Sequence, residues 1–160
     1  MSSFGFVLHD HLGVADVSPS IEWLEGRSHE VRLPTADAER IGRPDLGASW
    51  EEFPVGLDLV VSMGGDGTML RAADLAVLEH VPVLGANLGT LGYLTEVDSD
   101  GVKMALKRFL SGAYHVEERM RLGILVERSD GSTESLGALN ELVVEKSEPG
   151  HTVRLDVELD

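Results

Sequence analysis

The stretch LVVSMGGDGTMLRAA, residues 59–73, joins an apolar run to a glycine-rich turn that carries one carboxylate. The run 59–61 is continuous, as expected of a strand that is buried on both faces of a parallel sheet. After the glycines, the pattern predicts a helix from an N-cap at Thr68 to about His80. The stretch therefore predicts the beginning of a βαβ unit.

The flanking sequence continues this alternation of strands and helices. Strands are predicted over residues 4–8, 31–33 and 81–85. A weak helix is predicted over residues 21–24, and residues 34–56 are predicted to form a loop or a poorly formed helix. A clear helix is predicted over residues 101–111, between a cap at Asp100 and a stop at Gly112. This order is typical of right-handed crossovers in a parallel sheet. We therefore predict a Rossmann-like α/β domain over residues 1–115.

Beyond residue 115 the apolar period changes from 3.6 to 2. Apolar residues alternate over 120–126, SDGS at 129–132 predicts a hairpin turn, and further strands are predicted over 136–144 and 153–159. We predict that residues 116–160 begin an all-β, antiparallel, sandwich-like domain. We expect this domain to be incomplete, because its last strand has an apolar face and an edge with too little sequence left to cover them. Packing of this strand on the α/β domain or on a second copy is the alternative.

Composition narrows the function classes. The 160 residues are 42% hydrophobic and contain no cysteine, no charged-then-apolar leader and no apolar stretch of membrane length. We expect a cytoplasmic protein that does not bind membranes. The net charge of −15, from 28 acids and 13 bases, opposes binding to nucleic acid. A phosphate ligand would depend on backbone N–H groups, a few arginines and a divalent cation.

The glycine turn itself has two interpretations. Gly64, Gly65 and Gly67 around Asp66 let a ligand approach the backbone and direct a helix N-terminus at an anion. The motif is neither a P-loop nor the standard dinucleotide fingerprint. An ordinary turn with Asp as a turn former remains open from this segment alone.

Two later segments favour a ligand site. GANLGTLGYLTE, residues 85–96, repeats a glycine-rich loop after a strand, and Tyr93 is either a stacking ring or core. ALNELVVEK, residues 138–146, places Asn140 and Glu141 in an apolar strand, where a buried amide and carboxylate need partners. A sugar diol would satisfy both, and a surface pair at a strand end is the alternative.

These segments resemble conserved blocks of the NAD kinase family. The blocks are GGDGTMLRAA, PVLGANLGTLGYLTE, EERMRL and ALNELVVEK, and they occur in the family's order between residues 59 and 160. Diacylglycerol kinases, sphingoid-lipid kinases and phosphofructokinases share the G-G-D-G alone. The N-L-G-x-L-G spacing and the Asn-Glu pair favour the NAD kinases.

The resemblance implies phosphoryl transfer from ATP or inorganic polyphosphate, with Mg²⁺ or another divalent cation, to the 2′-hydroxyl of the adenosine ribose of NAD, giving NADP. Asp66 would contact that hydroxyl and accept its proton. The resemblance assigns a phosphate loop of Gly64, Gly65, Gly67 and Thr68, and an NAD site of Asp66, Gly67, Leu70, Tyr93, Asn140 and Glu141. Arg71 would contact a phosphate or remain a solvated helix arginine.

Two departures from the family pattern qualify this assignment. The family's later Thr/Gly/Ser-rich loop does not occur in these residues, so we expect NAD to bind weakly or not at all. The uncovered edge of the last predicted strand leads us to expect self-association into a dimer or tetramer. LHDHLG, residues 8–13, replaces a segment that is often basic, and His9 with His11 lacks a third ligand, so no metal site is assigned. A non-catalytic nucleotide-sensing module is the alternative function, followed by a lipid kinase.

Overall fold

A computed structural model of the chain describes residues 1–87, 94, 97–98, 101–145 and 154–158. Its internal contacts divide the chain into a first unit, Met1–Glu117, and a second unit, Glu118–Asp160. Within the described residues, no helix is both long and apolar enough to cross a membrane.

The first unit is built on one parallel sheet. Its elements in chain order are β1 (Ser3–Leu8), α1 (Val14–Glu25), β2 (Glu30–Pro34), α2 (Thr35–Arg40), a 3-10 helix (Pro44–Leu46), β3 (Gly47–Ala48), β4 (Leu59–Met63), α3 (Asp66–Ala76), a 3-10 helix (Val77–Glu79), β5 (Val83–Asn87), β6 (Val97–Asp98) and α4 (Val102–Leu110). The strands are ordered β3-β2-β1-β4-β5-β6, and every pairing is parallel. This is the strand order of a doubly wound Rossmann-like fold, so the predicted class is confirmed.

Both faces of the sheet are covered by helices, which explains the continuous apolar runs. Alternate residues of a strand point to opposite faces. Phe6 of β1 and Val61 of β4 pack with buried residues of α1 and α4. Val7 and Val60 pack on the other face with buried residues of α3. Strands buried on both faces need apolar residues at every position, as residues 59–61 show.

Tertiary packing extends the weakly predicted elements. The helix predicted at 21–24 is α1, which begins at Val14 and continues through Pro19. Its face of Val17, Ile21 and Leu24 is buried, and this burial outweighs its poor helix propensity. The segment 34–56, predicted as a loop or poor helix, contains α2, a 3-10 helix and β3.

The predicted N-cap at Thr68 is wrong. Gly65 is the N-cap of α3, and its carbonyl oxygen accepts hydrogen bonds from the N–H groups of Thr68 and Met69, each at 3.1 Å. Helix α3 therefore begins at Asp66 and ends at Ala76, before the predicted end at His80. The buried side chain of Thr68 packs toward Gly64 instead of capping the helix.

The second unit contains an antiparallel hairpin, as predicted. Strands β7 (Leu122–Glu127) and β8 (Thr133–Ala138) pair from Leu122↔Ala138 to Glu127↔Thr133. At the turn, Asp130 Oδ1 accepts hydrogen bonds from Ser132 N at 2.9 Å and Ser132 Oγ at 2.6 Å. Gly131 has φ of 84°, a left-handed conformation that glycine adopts without strain.

The later predicted strands differ from the structure. Pairing stops at Ala138, so the strand predicted over 136–144 ends early, and residues 154–158 are not in a strand. A strand needs a neighbour for its hydrogen bonds, and alternation alone does not supply one. The end of α4 before Gly112, with φ of 71°, agrees with the predicted stop. The predicted cap Asp100 lies outside the described residues.

We predict that Gly5→Ala destabilises the first unit. A β-carbon on this buried residue of β1 would lie 2.5 Å from Leu57 Cδ1 and 2.6 Å from Phe53 Cζ. Overpacking of this kind costs about 1–3 kcal/mol, measurable as a lower free energy of unfolding in urea. Gly123→Ala is the control, because a β-carbon there meets nothing within 4 Å. Equal stability of the two variants would contradict this packing.

Candidate active site

A cleft of about 310 Å³ lies where the order of the sheet reverses, between β1 and β4. Open α/β sheets bind ligands at such a switch point, outside the carboxyl ends of the strands. One wall is formed by the end of β1 and the residues after it, and the other by the glycine loop and α3. The lining residues are Leu8, His9, Asp10, Gly65, Gly67, Thr68 and Arg71.

The glycine loop presents bare backbone to this cleft. A β-carbon added to Gly65 or Gly67 would meet nothing within 4 Å. Gly65 caps α3, and Gly67 lies before the first residue whose N–H donates to the cap carbonyl, Thr68, so the N–H of Gly67 has no partner within the helix. The helix dipole adds partial positive charge at this end. The loop therefore has the geometry of a site for an anion.

Gly64 has a different role from the other loop glycines. It is buried at the end of β4, and its N–H donates to the carbonyl oxygen of Ala86 at 2.9 Å. A β-carbon on Gly64 would lie 2.8 Å from Thr68 Cβ and 2.9 Å from His9 Cβ. Gly64 lets α3 and the end of β1 approach β4 closely, so packing requires glycine here.

Asp66 is the first residue of α3 and is half-buried. Its Oδ1 accepts a hydrogen bond from the N–H of Leu94 at 3.1 Å. This bond connects the glycine loop to the chain after β5, the segment in which the second glycine-rich block was predicted. A carboxylate at a helix N-terminus is also stabilised by the helix dipole.

Arg71 is not a solvated helix arginine. Its Nη2 donates to Asp37 Oδ2 at 2.8 Å and to the carbonyl oxygen of Leu8 at 2.6 Å. Asp37 is 1% exposed, whereas Arg71 is 35% exposed and reaches the cleft wall. The guanidinium therefore pairs with a buried carboxylate and keeps one edge toward the cleft.

The other predicted ligand contacts are distributed along the chain. Leu70 lies in α3 and is half-buried. Tyr93 lies outside the described residues. Asn140 and Glu141 belong to the second unit, where both are exposed and follow the end of β8. Of the two interpretations of this pair, exposure after a strand end agrees with the structure, because the ladder ends at Ala138.

His9 and His11 lie beyond the end of β1. Their ring centroids are 5.1 Å apart, and His9 Nδ1 accepts a hydrogen bond from the backbone N–H of His11 at 3.2 Å. Among the residues that the structure describes, no group of three or more His, Cys, Asp or Glu side chains has an arrangement suited to a metal ion.

Sequence patterns missed the polar residues behind the cleft. Asp37 and Arg40 lie in α2, within the segment that was predicted as a loop or poor helix. Asp10 lines the cleft and lies 3.5 Å from Arg40 through Oδ1 and Nη1. Nothing local marks these residues as a cluster. The one available signal was a charged residue, Asp37, close to Ala38 and Ile41, which both pack in the core.

The fold and this cleft define a Rossmann-like α/β protein with a glycine-rich loop at the switch point of its sheet. Residues 28–114 match the family described as the ATP-NAD kinase N-terminal domain. The chain belongs to the NAD kinase family.

Named relatives agree with this assignment. The chain is 40% identical over 140 residues to the NAD kinase of Moorella thermoacetica, which covers 88% of this chain and 44% of the relative. It is 36% identical over 163 residues to the NAD kinase of Symbiobacterium thermophilum, covering 98% of this chain and 56% of the relative. The chain thus spans about half the length of the curated relatives it matches.

A solved structure shares the fold. The crystal structure of yeast NADH kinase complexed with NADH superimposes with a TM-score of 0.75 and 22% sequence identity. The similarity covers 88% of this chain and 47% of the yeast chain. At this level of identity the likeness concerns the fold alone.

We predict that Gly64→Ala and Gly67→Ala have opposite effects on stability. The β-carbon of Gly64→Ala would push against Thr68 and His9, which should lower the free energy of unfolding by about 1–3 kcal/mol. Gly67→Ala adds a methyl group in open space within a helix and should stabilise by up to about 1 kcal/mol. Thermal and urea unfolding of both variants provides the measurement. Equal changes would mean that the two glycines do not have separate roles.

Proposed function

We propose that this chain is part of an enzyme that phosphorylates NAD at the 2′-hydroxyl of its adenosine ribose to give NADP. ATP or inorganic polyphosphate is the phosphoryl donor. One observation carries the proposal: Asp66 lies on the first turn of α3, between Gly65 and Gly67, which face the cleft. Family membership supplies the identity of the reaction, and the cleft supplies a place for the donor phosphates.

In the proposed reaction, Asp66 contacts the ribose hydroxyl and accepts its proton. The hydroxyl oxygen forms a bond to the terminal phosphorus of the donor, and the bond from that phosphorus to its bridging oxygen breaks. The shortened donor leaves with the bridging oxygen, and the proton passes from Asp66 to solvent. Such transfer depends mainly on in-line positioning and neutralisation of charge.

The phosphate site is proposed to use backbone and one guanidinium. Gly64, Gly65, Gly67 and Thr68 form the loop, and the N–H groups of Gly65 and Gly67 are the proposed donors. Arg71 contributes positive charge from its exposed edge while its Nη2 is bound to Asp37 and Leu8. Backbone donors allow a chain with net charge −15 to hold an anion without a basic surface.

A divalent cation such as Mg²⁺ is proposed to accompany the phosphates. Mg²⁺ keeps several waters and needs only one or two protein carboxylates besides phosphate oxygens. Asp10 on the cleft wall and Asp66 on the loop are carboxylates of the right type. When bound, the cation would neutralise part of the charge that develops on the transferred group.

The NAD contacts are proposed from family membership, residue by residue. Leu70 and Tyr93 would line the dinucleotide pocket, together with Asp66 and Gly67. Asn140 and Glu141 would hydrogen-bond ribose and adenine. Their exposure leaves their polar atoms available to a ligand. We further propose a cytoplasmic homo-oligomer, a dimer or tetramer, that binds neither nucleic acid nor membranes.

We predict that Gly67→Val weakens binding of MgATP to this chain by at least about tenfold. The cleft is lined by Gly67, and a β-carbon there meets nothing within 4 Å, so we expect the added side chain to occupy space that a phosphate would need. Isothermal titration calorimetry measures the dissociation constant. Gly123→Val is the matched control, since that position in β7 is equally open. Unchanged affinity for Gly67→Val would place the donor elsewhere.

We predict that Asp66→Asn slows phosphoryl transfer without abolishing donor binding. Removal of a general base lowers turnover by about 10²–10⁴-fold. Two quantities are measured for each variant: the rate of NADP formation from NAD and MgATP, and the dissociation constant of MgATP. Asp74→Asn, an exposed position on the same helix, serves as the control and should leave both unchanged.

Two outcomes of this assay would reject the proposal. NADP formation that survives Asp66→Asn unchanged would remove Asp66 from the reaction. MgATP binding without NADP formation by the whole protein, of which we propose this chain to be a part, would favour a nucleotide-sensing module instead.

A further inference from the structure

The sheet leaves the backbone N–H and carbonyl oxygen of one buried residue, Leu8, without strand partners beside the cleft. Strand β1 pairs with β2 in a register that ends at Gly5 and Arg32. On the opposite side, β1 continues to pair with β4 up to Leu8 and Met63. Leu8 is fully buried, so its N–H and carbonyl oxygen on the β2 side must find other partners.

Side chains from two helices replace the missing strand. Asp37 Oδ2, from α2, accepts a hydrogen bond from the N–H of Leu8 at 2.9 Å. Arg71 Nη2, from α3, donates to the carbonyl oxygen of Leu8 at 2.6 Å and to Asp37 Oδ2 at 2.8 Å. The three groups form a closed circuit, and its charged members make these hydrogen bonds stronger than neutral ones.

A second guanidinium, that of Arg40, contacts the same carboxylate. Arg40 Nη2 lies 3.1 Å from Asp37 Oδ1 and donates to the carbonyl oxygens of Leu8 and His9, each at 3.3 Å. The contact with Oδ1 has the distance of an ion pair but lacks the alignment of a hydrogen bond. Oδ2 is therefore the atom that orients Arg71.

We propose that Asp37 is a positioning residue for the glycine loop. It fixes Arg71, which lies about one and a half turns after Asp66 in α3, and Arg71 fixes the start of α3 against the end of β1. The width of the cleft between these elements is thereby set by a residue that does not line it. The predicted effect of Asp37 on ligand affinity rests on the proposed function, in which the ligand is the phosphate chain of the donor.

The effect of Asp37→Asn on MgATP affinity is expected to have opposite signs if Asp37 acts through its charge and if it acts by positioning Arg71. The substitution removes a negative charge near the cleft, so electrostatics alone predicts tighter binding of a phosphate. It keeps an oxygen that can accept from Leu8 N–H but weakens the bond that orients Arg71, so positioning predicts weaker binding. The sign of the change in MgATP affinity distinguishes the two.

The experiment combines amide hydrogen exchange with calorimetric titration of MgATP on the whole chain. In Asp37→Asn we expect exchange about 10- to 100-fold faster at the N–H groups of Leu8, Thr68 and Met69. We expect MgATP to bind about tenfold more weakly. Asp45→Asn is the matched control, because Asp45 is an exposed partner of an arginine in the same unit and should change neither quantity.

Several results would overturn positioning by Asp37. One is that hydrogen exchange at Leu8, Thr68 and Met69 does not change. Another is that exchange at the remote N–H of Val60 becomes faster by the same factor as at these three residues. The third is that MgATP binds more tightly. If exchange becomes faster only near Leu8 and the start of α3, and the unaltered chain does not bind MgATP, the result would support positioning by Asp37 and Arg71 and contradict the proposed function. If circular dichroism shows that Asp37→Asn is unfolded, Arg71→Lys decides by the same exchange criteria, because lysine keeps the charge and loses the planar fork.

Discussion

The backbone of Leu8 is the constraint around which the cleft is organised. It is buried at a point where β1 has lost its neighbour β2, and a buried N–H or carbonyl oxygen without a partner is costly. Asp37 and Arg71 satisfy both groups and each other. A buried carboxylate needs such a cation, so neither residue has an independent role. Strand β1, α2 and α3 are joined at the edge of the proposed phosphate site as a result.

The glycine motif combines packing with ligand access. Gly64 is required because Thr68 and His9 occupy the space that a side chain would need. Gly65 and Gly67 instead border open space, and this is what a phosphate needs in order to reach backbone N–H groups. These donors carry no side-chain charge, so the motif is compatible with a strongly acidic chain. The bond from Leu94 N–H to Asp66 holds the proposed catalytic carboxylate in place.

The two units contribute unequally to the proposed function. The first unit contains the cleft, the loop and the network behind it, and these residues carry the argument for a phosphate donor. The second unit contributes an exposed Asn140 and Glu141 after the hairpin, so the NAD side depends more on family membership. The chain covers 44% and 56% of two NAD kinase relatives, and the activity of the whole protein is accordingly a proposal.

The sequence by itself determined the fold class, the position of the glycine turn after β4, and the hairpin at Asp130. These features depend on residues that are neighbours in the chain, through apolar periodicity and turn chemistry. Only the tertiary structure decided that α3 begins at Asp66 and that Asp37 pairs with Arg71, 34 residues away. The physical reason is that the pairing is dictated by a backbone group left unsatisfied when the sheet assembles, and no local pattern records where a ladder will end.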